Sequence, residues 1–203
     1  TNQALGYNYT NWRNFFNSRQ LLCLGILLKK ILEIEDTNIQ EQFLCLFSGT
    51  LEFNNLFCSY KGEGTGAVRH MFSNHILKPE RTPLENSVWG NKKSSGTFST
   101  LFETRLIKAK RYLDEPFEIK LADKSDDNKH TTSKCISSEP INTQIVDNWD
   151  ALFNSTNSMM ILNGNSANLD IPPNSVDAVI TDPPYFDFVH YSELSDFFYA
   201  WLS

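Results

Sequence analysis

The chain has 203 residues, a mass of 23.3 kDa and a formal net charge of -6, which allows one ordinary domain or one and a half. A 40% hydrophobic and 13% aromatic content excludes a disordered chain. The longest apolar run, Leu21 to Leu28, stops at Lys29, too short for a bilayer, and no signal peptide is recognisable. The four cysteines (Cys23, Cys45, Cys58, Cys135) form no C-x-x-C pair, which argues against structural zinc and reads as reduced thiols in a cytoplasmic protein.

In chain order, Trp12 to Ile34 reads as a helix, with Trp12, Phe16, Cys23, Leu27 and Ile31 near one stripe. Its middle is apolar almost all round, so burial is expected. A second Phe- and Leu-rich helix is expected from Ile39 to about Phe57. A glycine-rich run follows, Lys61-Gly62-Glu63-Gly64-Thr65-Gly66, and then a helix from about Thr97 to Leu113 that exposes Arg105, Lys108, Lys110 and Arg111. Residues 122–142 turn polar and read as a long loop or hairpin tip, the most plausible boundary in the chain. Beyond it, Met159–Leu162 and Val176–Thr181 are short apolar runs of the kind found in buried parallel sheets. A last helix is expected from Ser192, capped by that residue, with Glu193 and Asp196 in its first turn. Both chain ends look like cuts through a larger protein.

Charge is unevenly distributed. Residues 61–111 hold ten Lys/Arg against four acids, although the whole chain is acidic. Such clustering suits a phosphate-facing surface, because bound cations release counterions. It also suits an ordinary solvated helix face.

One motif carries chemistry. The apolar run ends in Asp182-Pro183-Pro184-Tyr185, and in open α/β sheets ligands bind beyond the carboxyl ends of strands. Two prolines fix φ and hold the first carbonyl outward as a rigid acceptor. Asp182 is a second acceptor and Tyr185 an aromatic face. Together they suit a planar base with an exocyclic amine, which donates to the Asp182 carboxylate and the Pro183 carbonyl while the ring stacks on Tyr185. The amine nitrogen, drawn toward tetrahedral geometry, then attacks an electrophilic methyl in line. A base in a duplex must be flipped out to reach such a site.

Thr181-Asp-Pro-Pro-Tyr185, Phe186-Asp187 and the run Tyr191 to Leu202 resemble the large, insertion-containing adenine-specific DNA methylases. Trp12-Arg-Asn-Phe-Phe-Asn-Ser-Arg19-Gln20-Leu21 is similar to their F-x-x-R-Q-L helix, and the resemblance covers both ends of the chain, about half its length. It implies an α/β fold: part of a Rossmann-like, S-adenosylmethionine-dependent methyltransferase sheet with a mainly helical insertion. It further implies that Asp182, Pro183, Pro184 and Tyr185 hold the target base, and that DNA adenine is the substrate. Cytosine in DNA, a base in RNA, and a non-catalytic nucleic-acid-binding remnant are the alternatives. Gly164-Asn165 stands where related enzymes often carry Gly-Asp against the cofactor's adenine, here with an amide in place of the acid.

Three regions are expected: 1–121 as the helical insertion, 122–142 as a polar connector and 143–203 as a partial catalytic core. The spacing of Gly62, Gly64 and Gly66 matches a cofactor loop, but the residues before it continue a helical pattern. The run is therefore assigned to the insertion, with Lys61, Arg69 and Arg81 as candidate phosphate contacts. The cofactor loop is expected upstream, in the remainder of the parent polypeptide, so this chain alone should bind S-adenosylmethionine weakly and turn over little. No metal or membrane partner is expected: His70 and His75 lack completing ligands. His190 lies close to the tetrad, although the chemistry needs no base there. Tyr199 and Trp201 read as core packing, and Arg19 as one half of an ion pair with an unnamed carboxylate.

Overall fold

A computed structural model describes residues 2–60, 68–73, 81–90, 94–122, 131–137, 139–185 and 189–203. Its elements, in chain order, are α1 (Asn2–Gly6), a 3-10 turn (Trp12–Phe15), α2 (Ser18–Leu32), α3 (Thr37–Phe53), β1 (Ser59–Tyr60) and β2 (Val68–Arg69). There follow α4 (Phe98–Leu101), a π-helical segment (Phe102–Ile107), α5 (Lys108–Asp114), β3 (Phe117–Ala122) and β4 (Thr131–Ile136). Then come β5 (Gln144–Ile145), α6 (Trp149–Phe153), β6 (Ser158–Met159) and α7 (Tyr191–Leu202). The chain is thus mixed α/β, and it divides into two compact units: residues 1–108 with 184–203, and residues 109–183. No described helix is long and apolar enough to cross a membrane.

The first unit is built on an αα-hairpin. The helix expected from Trp12 is interrupted, because Asn17 is extended and starts α2 as a reciprocal cap. Its Oδ1 accepts from the Gln20 N–H at 2.8 Å, and the Gln20 Oε1 accepts from the Asn17 N–H at 2.9 Å. Asp36 caps α3 in the same way, accepting from the Ile39 N–H at 3.1 Å. Gln40 donates to the Leu32 and Ile34 carbonyls, so the end of α2 is closed by a side chain of α3. The apolar middle of α2 is not enclosed as its sequence suggests. Leu24 and Ile31 face the core, whereas Cys23, Leu22 and Ile26 lie on the opposite, exposed side.

The second helix stops at Phe53 rather than Phe57 because of two buried asparagines. Asn54 donates to the Thr50 and Gly96 carbonyls; Asn55 donates to those of Leu51 and Glu52, and its Oδ1 takes the Phe57 N–H. These amides help to satisfy the last carbonyls of the helix, together with the Asn54 N–H on Leu51 and the Met71 N–H on Glu52. Gly96 packs against this stop with φ +66°, and a Cβ there would lie 2.0 Å from the Phe53 ring.

Phe197 of α7 is fully buried at the centre of an aromatic cluster. Its ring stacks on Phe16 and meets Trp12 and Phe72 edge-on, with centroids 5.4 to 5.8 Å apart. Trp201 packs on Phe16 and Phe47, as expected of a core residue, while Tyr199 is exposed. The Trp12 indole donates to the Asp196 carboxylate at 2.7 Å, pinning α7 to the 3-10 turn. The helix starts at Tyr191 after His190, and Ser192 makes no cap.

In the second unit β3 and β4 pair antiparallel from Phe117↔Ile136 to Ala122↔Thr131, so the polar stretch belongs to a hairpin whose tip, 123–130, lies outside the described residues. The β5 and β6 strands pair in parallel, Gln144↔Ser158 and Ile145↔Met159, with α6 in the crossover. That is a small βαβ unit, the connection parallel strands require. Two of the expected strands differ. The strand at Met159 ends there, leaving Ile161 and Leu162 exposed, and Val176–Thr181 forms no strand but an unpaired run with a bend at Asp177, its Ile180 95% exposed. A parallel strand buried on both faces needs neighbours on both sides, and among the described residues nothing pairs with this one.

Candidate functional site

The segment before the tetrad is shaped by a turn. Asn174 adopts φ 60°, a left-handed conformation that its short polar side chain tolerates, and the Ser175 hydroxyl donates to the Pro172 carbonyl at 2.6 Å. This reverses the chain into Val176–Thr181. Thr181 through Tyr185 then run outside any regular element, and each is exposed. Tyr185 is 61% exposed. Among the described residues no hydrogen bond engages the Asp182 carboxylate or the Tyr185 hydroxyl, so both acceptor and ring are open to a ligand. The compact units divide after Pro183, so Asp182 and Pro183 belong to one and Pro184 and Tyr185 to the other. Phe186 and Asp187 lie outside the described residues.

Gly164 and Asn165 sit in a separate turn of the second unit. The Asn165 Oδ1 accepts from the Ala167 N–H at 3.0 Å and its carbonyl from the Asn168 N–H at 2.9 Å, a side-chain-mimicked turn. A Cβ at Gly164 would meet nothing within 4 Å. The glycine therefore makes no close approach, and the asparagine oxygen is already engaged.

The basic candidates belong to the first unit. Lys61, with Gly62, Gly64 and Gly66, lies outside the described residues. Those residues join β1 to β2, which are antiparallel; a cofactor loop instead leads from a strand into a helix. Arg69 is exposed on β2, opposite Ser59. Arg81 is exposed beside Thr82, whose hydroxyl donates to the Cys58 carbonyl and whose N–H donates to the Leu56 carbonyl. Arg69 and Arg81 thus flank the segment 56–59 from two sides. Arg81 also lines an open cavity of about 520 Å³ with Asn17 and Glu85.

The structure names the carboxylate of Arg19. The guanidinium donates from Nε and Nη2 to the two oxygens of Glu85, both at 2.7 Å, and Asn17 Nδ2 adds a third bond at 3.0 Å. This forked pair holds the Glu85 carboxyl below its ordinary range through the Arg19 hydrogen bond, and holds Arg19 above its own. Sequence spacing could not find it, since the partners are far apart in the chain.

Near α3, His70 Nδ1 lies 3.3 Å from Glu52 Oε2. Burial raises the Glu52 carboxyl, against a lowering by Arg105. Cys58 is fully buried, and burial pushes its thiol up to about 12. That thiol stays protonated and is no nucleophile. No group of three or more metal-ligating side chains occurs among the described residues. The chain matches no family model, no curated protein and no solved structure.

Proposed function

We propose that this chain carries the base-binding part of an S-adenosylmethionine-dependent DNA adenine methyltransferase of Rossmann-like fold. The observation that supports it most directly is the open Asp182-Pro183-Pro184-Tyr185 segment, an acidic acceptor and an aromatic ring both presented to solvent after an apolar run. An adenine extruded from the duplex donates its two amino hydrogens to the Asp182 carboxylate and the Pro183 carbonyl. Tyr185 stacks on the ring and sets its plane. Holding both hydrogens in hydrogen bonds draws the nitrogen toward tetrahedral geometry and frees its lone pair from the ring, which makes it nucleophilic without a covalent enzyme intermediate.

S-adenosylmethionine would supply the methyl group, yet the described residues do not fit it. Gly164 faces open space, and Asn165 spends its oxygen on a turn. The exposure of Val179 and Ile180, 80% and 95%, has a matching explanation in this reading. Residues 176–181 are a sheet strand, and its neighbours come from the rest of a larger protein, as does the cofactor loop.

One rival is a remnant that binds nucleic acid without catalysis. Tritiated methyl transfer by the full-length protein onto duplexes with either adenine or cytosine as the sole amine-bearing target separates these readings. Label in adenine is expected. Label only in cytosine would defeat the adenine assignment, and no label in either would favour the remnant.

A further inference from the structure

Away from the tetrad, the first unit contains a ladder of four aromatic rings. Phe102 stacks on Phe43 at 5.8 Å and 17°, Phe43 on Phe98 at 5.8 Å and 26°, and Phe98 on Trp89 at 5.8 Å and 30°. The ladder starts at the half-buried Phe102, passes the buried Phe98 and ends at an indole that is 62% exposed. It lines an open cavity of about 760 Å³, within the size range of ligand sites. One wall is the π-helical segment beginning at Phe102, a backbone form concentrated at functional sites.

The polar lining restricts what can enter. The Ser99 hydroxyl donates to the Trp89 carbonyl, that of Thr100 to Ser94, and that of Thr104 to Thr100, at 2.6 to 2.7 Å. Each hydroxyl has a single hydrogen, so Ser99 and Thr104 meet a ligand as acceptors, while the Thr100 oxygen already accepts from the Thr97 hydroxyl. Glu103 is an acceptor as well. Apart from the Trp89 indole N–H, the lining side chains have no donor to offer. A fitting ligand is flat, stacks on an indole and brings its own N–H groups. Arg105 and Lys108 are exposed on the same helical stretch, and residues 61–111 carry ten Lys/Arg against four acids, so the charge of this region favours a polyanion.

We propose that this cavity is a stacking platform for an unpaired, amine-bearing base of single-stranded DNA. The proposal rests on the ring ladder, the acceptor lining and the local charge, and is independent of the methyl-transfer reading. Stacking on an exposed aromatic tolerates any base, while a lining whose side chains offer acceptors and a single indole donor favours adenine over thymine.

Fluorescence anisotropy with labelled oligo(dA) and oligo(dT) of about fifteen nucleotides tests it, a length matched to single-strand sites. Oligo(dA) is expected to bind several-fold more tightly than oligo(dT). Trp89→Ala should weaken oligo(dA) binding about tenfold, the loss of one stacked base, while Trp89→Phe retains most of it. Glu103→Gln should narrow the difference between the two strands. Since Trp89 is mostly exposed, its replacement leaves the buried Phe98 in place, and circular dichroism verifies the fold. Absence of binding, or equal binding by wild type and Trp89→Ala, would overturn the proposal. Neither outcome touches Asp182, so the methyl-transfer reading stands or falls separately.

Discussion

At the scale of single residues, Arg19 forms the ion pair expected of it, and its partner Glu85 shows what that pair does for local structure. The pair ties the start of α2 to the segment 81–85, and Asn17 serves both the helix cap and this bond. Glu85 is held below its ordinary range, so the folded state binds fewer protons than the unfolded one at acid pH. The resulting stabilisation is present above the unfolded carboxylate pKa and is lost as pH falls through the lowered folded value. Arg19→Ala should therefore raise the Glu85 pKa toward the ordinary range and flatten this part of the acid limb. A Glu85 carboxyl titration followed by NMR reads the change directly; an unchanged midpoint would mean that Arg19 does not set it. Glu52 acts in the opposite sense. Its raised pKa makes the folded state bind more protons, so that group's contribution declines as pH rises.

At the scale of elements, helices were more legible than strands. The stretch from Thr97 to Leu113 was visible from its pattern, and it forms one continuous helical run from Phe98 to Asp114. The polar stretch 122–142, which reads as a long loop or a hairpin tip, in fact carries strand β4 of a hairpin with β3. What the pattern missed were boundaries decided by side chains. Asn17 breaks the first helix and the Asn54-Asn55 pair ends the second, because amide groups take over backbone bonds there. The tetrad was legible as a motif, whereas the strand before it was not decided by its own residues, since pairing depends on neighbours elsewhere. The helix stop at Asn54 also predicts a sensitive position. Gly96→Ala places a methyl group on a positive φ and into the Phe53 ring, so it should destabilise the unit by about 2 to 4 kcal/mol through backbone strain and overpacking. Urea unfolding measures this, and a loss below about 0.5 kcal/mol, the range of neutral surface changes, would show that the close approach is absent.

At the scale of the whole molecule, an acidic chain concentrates its cations in residues 61–111 and leaves residues 181–185 exposed. The aromatic core gathered around Phe197 anchors α7 within the first unit. The tetrad lies just before that helix in sequence, so a firmly packed element follows the proposed base-binding residues. The central claim is that the Asp182 carboxylate accepts a hydrogen bond from the target amine. The most direct test is Asp182→Ala in the active full-length protein, with methyl transfer and S-adenosylmethionine binding measured side by side. Transfer should fall by at least about a hundredfold, the scale of losing one group that stabilises a transition state, with cofactor affinity nearly unchanged. Turnover retained near the wild-type rate would contradict the account.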